Sequence, residues 1–107
     1  MKLILAILNH DDAQSVIRHL TEEGYPVTKL ATTGGFLQSG NVTIILGVED
    51  EKIEGAMAVI QKYSHSRKRV LPTSSEMGLG FYSAMPVEVT VGGATVFVLN
   101  VENYQKL

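Results

Sequence analysis

The same local plan occurs twice in this chain. LILAIL, Leu3 to Leu8, is a continuous apolar run that ends in Asn9-His10-Asp11-Asp12 and gives way to helical spacing. NVTIILGV, Asn41 to Val48, ends in Glu49-Asp50 and does the same. Continuous apolar runs of that length suit strands buried on both faces. A repeated strand–acid–helix unit needs one sheet to take both strands and one layer to take both helices, because neither kind of element can bury its apolar side alone.

The segments between fill in that plan. In DDAQSVIRHLTEEG, Ala13, Val16, Ile17 and Leu20 recur at helical spacing, Asp11 or Asp12 is placed to cap, and Gly24 marks a C-terminal stop. Pro26 bars the helix from continuing, and Val27 to Thr32 reads as a second strand. Glu49-Asp50 caps a second helix with Ile53, Ala56, Met57 and Ile60 on one face. Tyr63 to Phe81 has little periodicity beyond a short strand near Arg69 to Leu71. PVEVTVGGATVFVLNV alternates on both sides of Gly92-Gly93, which predicts a hairpin because glycine tolerates positive φ. Together these give an α+β, ferredoxin-like βαββαβ sheet with two helices on one face, plus an extra C-terminal hairpin strand. TIILG and ATVFVL are apolar on both sides, so the second face is expected to pack on partner subunits.

Bulk composition excludes several functions. With 107 residues, 45% hydrophobic and 19% charged, the chain supports one domain, residues 1–107, with its own core. A net charge of −2 offers no field for nucleic acid. The absence of cysteine removes disulfides, thiolate nucleophiles and cysteine–zinc sites. LILAIL falls far short of the ~20 residues of a membrane helix and has no small-residue cleavage site after it, so a cytoplasmic protein is expected.

The chemistry-bearing stretches point to binding, not catalysis. In TTGGFLQSGN the backbone at Gly34-Gly35 can approach a ligand, Thr32, Thr33 and Asn41 offer neutral donors and acceptors, and Phe36 offers a stacking face. The alternative is that Phe36 plugs its own domain. His10, Asp11, Asp12 and His19 do not form a metal site, since His19 lies about two helical turns, roughly 10 Å, from the cap. His65-Ser66-Arg67-Lys68-Arg69 is either a solvated loop or a phosphate contact. No nucleophile elbow such as G-x-S-x-G appears, and the acids Glu49, Asp50, Glu51 and Glu54 suit the positive end of a helix. No catalytic residue, metal or cofactor is assigned.

Three stretches carry a family resemblance: VTKLATTGGFLQSGN, LGVEDEKIEGAM and PVEVTVGGATVFVL. Together they resemble the PII-like cyclic-di-AMP receptor family of Gram-positive bacteria, along nearly the whole chain. The resemblance implies a PII-type homotrimer of ferredoxin-like subunits that catalyses no reaction. It implies one cyclic-di-AMP between each pair of adjacent subunits, with binding that orders the loops near 32–40 and 63–84. The family's ligand contacts fall on Thr28, Gly35, Phe36, Leu37, Asn41, Gly47 and Phe97.

Two departures bear on the ligand. Where cyclic-di-AMP binders carry N-x-R-x-T, this chain has Gly24-Tyr25-Pro26-Val27-Thr28, and Lys106 stands where binders tend to have glutamine. A lost arginine removes a charge-assisted contact of ~1.5–3 kcal/mol. Arg67, Lys68 and Arg69 are the candidates to restore that charge. The rival readings are a trimer for another adenine nucleotide or a small anion, and a ligand-free protein-interaction module. Either sensor would act on a downstream protein that the sequence does not name.

Overall fold

The computed structural model describes residues 1–30, 40–71 and 87–107, without the side chains of 69–71 and 87. The first strand, β1 (Lys2–Asn9), leads directly into helix α1 (His10–Glu22). A two-residue strand β2 (Thr28–Lys29) follows, then β3 (Asn41–Val48). A 3-10 turn at Asp50–Lys52 opens helix α2 (Ile53–Ser64). The chain then forms β4 (Arg67–Leu71), β5 (Val87–Val91) and β6 (Ala94–Asn100).

β2, β3, β1 and β6 form one antiparallel sheet in that order. Each half of the repeated plan is thus split, with a strand of the other half lying between its own two strands. β3, and β1 from Leu3 onward, alternate between buried and half-buried residues. Ile4, Ala6 and Leu8 of β1 and Val42, Ile44, Leu46 and Val48 of β3 point to the helix layer. They meet Ala13, Val16 and Leu20 of α1 and Ala56, Val59 and Ile60 of α2 to form the core. Each large side chain buried this way contributes about 1.5–3 kcal/mol. Between the helices, His19 stacks on Tyr63 with centroids 3.7 Å apart and planes 11° from parallel.

The opening α+β reading holds for the sheet and both helices. Other expectations need correction. The cap of α1 is Asn9, two positions before the first aspartate, whose side chain accepts from the Asp11 N–H at 2.9 Å. Asp12 is buried instead. Gly24 does follow the helix with φ +89°. The second strand is shorter than the expected Val27 to Thr32: it spans Thr28–Lys29, with Val27 and Leu30 outside it, and residues 31 and 32 lie outside the described residues. Glu49 makes no side-chain cap bond, and the chain enters α2 through the 3-10 turn. Tyr63 and Ser64 belong to α2, and the short strand begins at Arg67, not Arg69. The rest of the expected 63–84 loop, from residue 72, is outside the described residues.

The C-terminal hairpin is the largest correction. Gly92 and Gly93 both have positive φ, +77° and +90°, as a tight turn requires. Yet β5 does not pair with β6. It pairs with β4, from Arg67↔Val91 to Leu71↔Val87, as a separate two-stranded ribbon, while β6 joins the main sheet beside β1. The Gly93 N–H bonds to the Ser64 carbonyl at the end of α2, which holds the glycines where the chain passes from one sheet to the other.

Candidate functional site

Side chains directly opposite in an antiparallel pair share a face of the sheet. Opposite the helix layer, the register aligns Thr28, Ile45, Leu5 and Phe97 in one row across all four strands. Gly47, Leu3 and Leu99 form a neighbouring row, and Asn41 stands opposite Asn9 at the far end. No described element packs on this face. Phe97 is 52% exposed and Leu99 46%, so the β6 side presents an apolar surface to its surroundings. Four residues named from the sequence therefore share one face: Thr28, Asn41, Gly47 and Phe97. Gly35, Phe36 and Leu37 lie outside the described residues.

The four do not converge within one chain. Thr28 sits on one edge strand and Phe97 on the other, three strand spacings or about 14 Å apart. At Gly47, near the other end of β3 from Asn41, the strand backbone carries no side chain of its own, and an added Cβ would touch the Met1 sulfur at 3.8 Å.

At the far end of the face is a hollow of about 220 Å³, lined by Ile7, Asn9, Asn41, Gly92, Gly93, Ala94 and Thr95. Two amide side chains, a hydroxyl and the glycine backbone give it hydrogen-bonding capacity suited to a base edge or a phosphate oxygen. Asn9 and Thr95 were not singled out from the sequence. Strand alternation finds them once Asn41 is set opposite Asn9, but that register depends on pairing the sequence does not print.

The basic cluster is placed differently from expectation. Arg67 is bound by buried Asp12, with Nη2 donating to Oδ1 at 2.9 Å and Nη1 to Oδ2 at 3.3 Å, and Nη1 also donates to the His65 carbonyl at 3.2 Å. These hydrogen bonds, then the charge of Asp12, raise the Arg67 pKa above its ordinary value. A raised folded pKa stabilises fully below the unfolded value and is lost only in strong alkali, so this charge is constant at ordinary pH. Lys68 pairs with Glu88 at 3.2 Å across the ribbon. Arg67 and Lys68 therefore have partners within the chain, and the side chain of Arg69 is not described.

Ahead of Thr28, the Tyr25 hydroxyl donates to the Lys52 carbonyl at 3.2 Å and closes the link between α1 and β2 onto the start of α2. Of the metal candidates, His19 lies against Tyr63 with its Nδ1 2.7 Å from the Ser15 carbonyl, and Asp12 is engaged by Arg67. Among the described residues, no cluster of His, Asp and Glu has metal-binding geometry.

The sequence matches the cyclic-di-AMP receptor family over residues 1–107. The chain belongs to that family. It is also similar to a solved structure, that of a functionally unknown protein from Pediococcus pentosaceus ATCC 25745, at 37% identity and a TM-score of 0.76. The alignment covers 99% of this chain and 96% of that one. Membership in a receptor family makes the role one of binding, within cyclic-di-AMP signalling. No described helix is long and apolar enough to cross a membrane.

Proposed function

We propose that this receptor-family member is a non-enzymatic sensor of cyclic-di-AMP, working in the cytoplasm as a PII-like homotrimer with its ligand between adjacent subunits. The observation that carries the reading is the common face of Thr28, Asn41, Gly47 and Phe97. Thr28 and Phe97 stand on opposite edge strands of one chain, each beside an open edge. Bringing the β2 edge of one copy towards the β6 edge of the next puts both within reach of a single nucleotide. The same arrangement covers Leu3, Leu5, Phe97 and Leu99, which the helices leave bare. Thr28 and Asn41 hydrogen-bond the base or phosphate, Gly47 admits the ligand to the backbone, and Phe97 stacks. Gly35, Phe36 and Leu37 complete the contacts, as the resemblance implies. Ligand binding biases the loop near 32–40 and the stretch that joins β4 to β5, and so the choice of downstream protein partner.

Calorimetric titration with cyclic-di-AMP tests this. Saturable heat is expected, and Phe36→Ala is expected to weaken it with little change in melting temperature. No heat at millimolar ligand contradicts the reading.

One observation favours a second reading. The family's Asn and Arg are replaced by Gly24 and Pro26, and Arg67 is held by Asp12. The same trimer could then select another adenine nucleotide or a small anion. ATP, ADP and inorganic phosphate in a thermal-shift series separate the two, and failure of all of them leaves a protein-interaction module.

A further inference from the structure

We propose that the Asp12–Arg67 ion pair is a latch that couples the β4–β5 ribbon to the hollow at Asn41, so that these two residues position the ligand site without touching the ligand. The claim rests on the reading that Asn41 contacts the ligand, but its structural half stands apart from it.

Asp12 lies in the first turn of α1 and is 6% exposed. A carboxylate this buried is retained when its oxygens are bonded, and Arg67 bonds both. Arg67 is the first residue of β4, where the ribbon begins. Gly92 is the first residue after β5, where the ribbon ends. The two meet at the latch. A Cβ on Gly92 would press on the Arg67 guanidinium and would itself stand 3.0 Å from Asp12 Oδ2 and 2.9 Å from the His65 carbonyl oxygen. One end of the ribbon is thus bonded to the Asp12 carboxylate, and the other end lies against the same ion pair.

That carboxylate is equally tied to the hollow. Three positions before Asp12, Asn9 caps α1 and lines the hollow opposite Asn41. The His10 N–H bonds to the Gly40 carbonyl at 2.6 Å, fixing the residue that precedes Asn41. Gly92 itself lines the hollow. A shift of the ribbon base moves Gly92 and strains Asp12, and through α1 it moves Asn9 and Gly40. The converse holds for a ligand seated at Asn41, because coupling between two sites is reciprocal. The Lys68–Glu88 pair lies further along the ribbon, exposed on both sides, and has no such connection.

The experiment uses the full chain as Asp12→Asn, Arg67→Lys, the double variant and the control Lys68→Ala, each checked by circular dichroism. Hydrogen exchange without ligand comes first. Asp12→Asn and Arg67→Lys are expected to speed exchange both in 87–91 and at His10 and Asn41. A change confined to the ribbon, or none, overturns the latch whatever the ligand proves to be. Cyclic-di-AMP titration comes second. Each single variant is expected to weaken binding about ten-fold. The double variant is expected to be no worse than either single, and Lys68→Ala to match the parent. Additive losses, or an unchanged Kd in the single variants, contradict the coupling. Altered exchange at His10 and Asn41 with a parent that binds nothing sinks the ligand assignment and leaves the latch standing.

Discussion

Gly55 shows how one residue can be set by its neighbour. It lies on the exposed side of α2, where alanine normally stabilises a helix by about 1 kcal/mol over glycine. Here a Cβ would collide with the Tyr25 hydroxyl, which is held by the Lys52 carbonyl. Gly55→Ala is therefore expected to lower the melting temperature, and the same change in a Tyr25→Phe background to raise it relative to Tyr25→Phe alone. Denaturant melts of the four proteins check the reversal of sign. Phe97 makes the opposite case. Half exposed on the uncovered face, it contributes little to the fold of a single chain. Phe97→Ala is expected to weaken cyclic-di-AMP binding by roughly ten-fold or more, as for loss of a base stacked at ~1–3 kcal/mol. Calorimetry reads that loss directly.

Among the elements, β3 carries the greatest packing consequence. Ile44 is fully buried between the helices and the sheet centre, so Ile44→Ala is expected to cost about 2–5 kcal/mol, read from the urea midpoint at unchanged slope. β3 was also the most legible element, matching its sequence-derived limits of Asn41 to Val48 because an apolar run and an acidic end both mark it. The two helices were legible for the same reason, down to Ala13, Val16, Leu20, Ala56 and Ile60. What the sequence concealed was pairing between distant segments. VTVGGATV has the local chemistry of a hairpin, and nothing local shows that Val87–Val91 will prefer Arg67–Leu71. The Asp12–Arg67 pair spans 55 positions, so no spacing rule links its members, and each taken alone resembles a surface charge. The candidate site, a proposal at every residue, came from two sources. Family-like residues pointed to Thr28, Asn41, Gly47 and Phe97, whereas Asn9 and Thr95 emerge only from strand register.

At the scale of the molecule, the sheet has two unequal sides. One is closed over β1 and β3 by α1 and α2, and the other shows Leu3, Leu5, Ile7, Ile45, Phe97 and Leu99 with no described element over them. An apolar surface of that kind on a signalling protein favours association, and the 14 Å between Thr28 and Phe97 favours association that brings unlike edges together. Replacing Leu5 with Asp at the centre of that face is expected to shift the protein to monomer on gel filtration and to abolish ligand heat together. Retention of binding by a monomer would separate the two. The most direct measurement is native mass spectrometry of the protein with excess cyclic-di-AMP. A three-chain species carrying three ligands is the predicted result. A single chain that takes up no nucleotide would contradict the account.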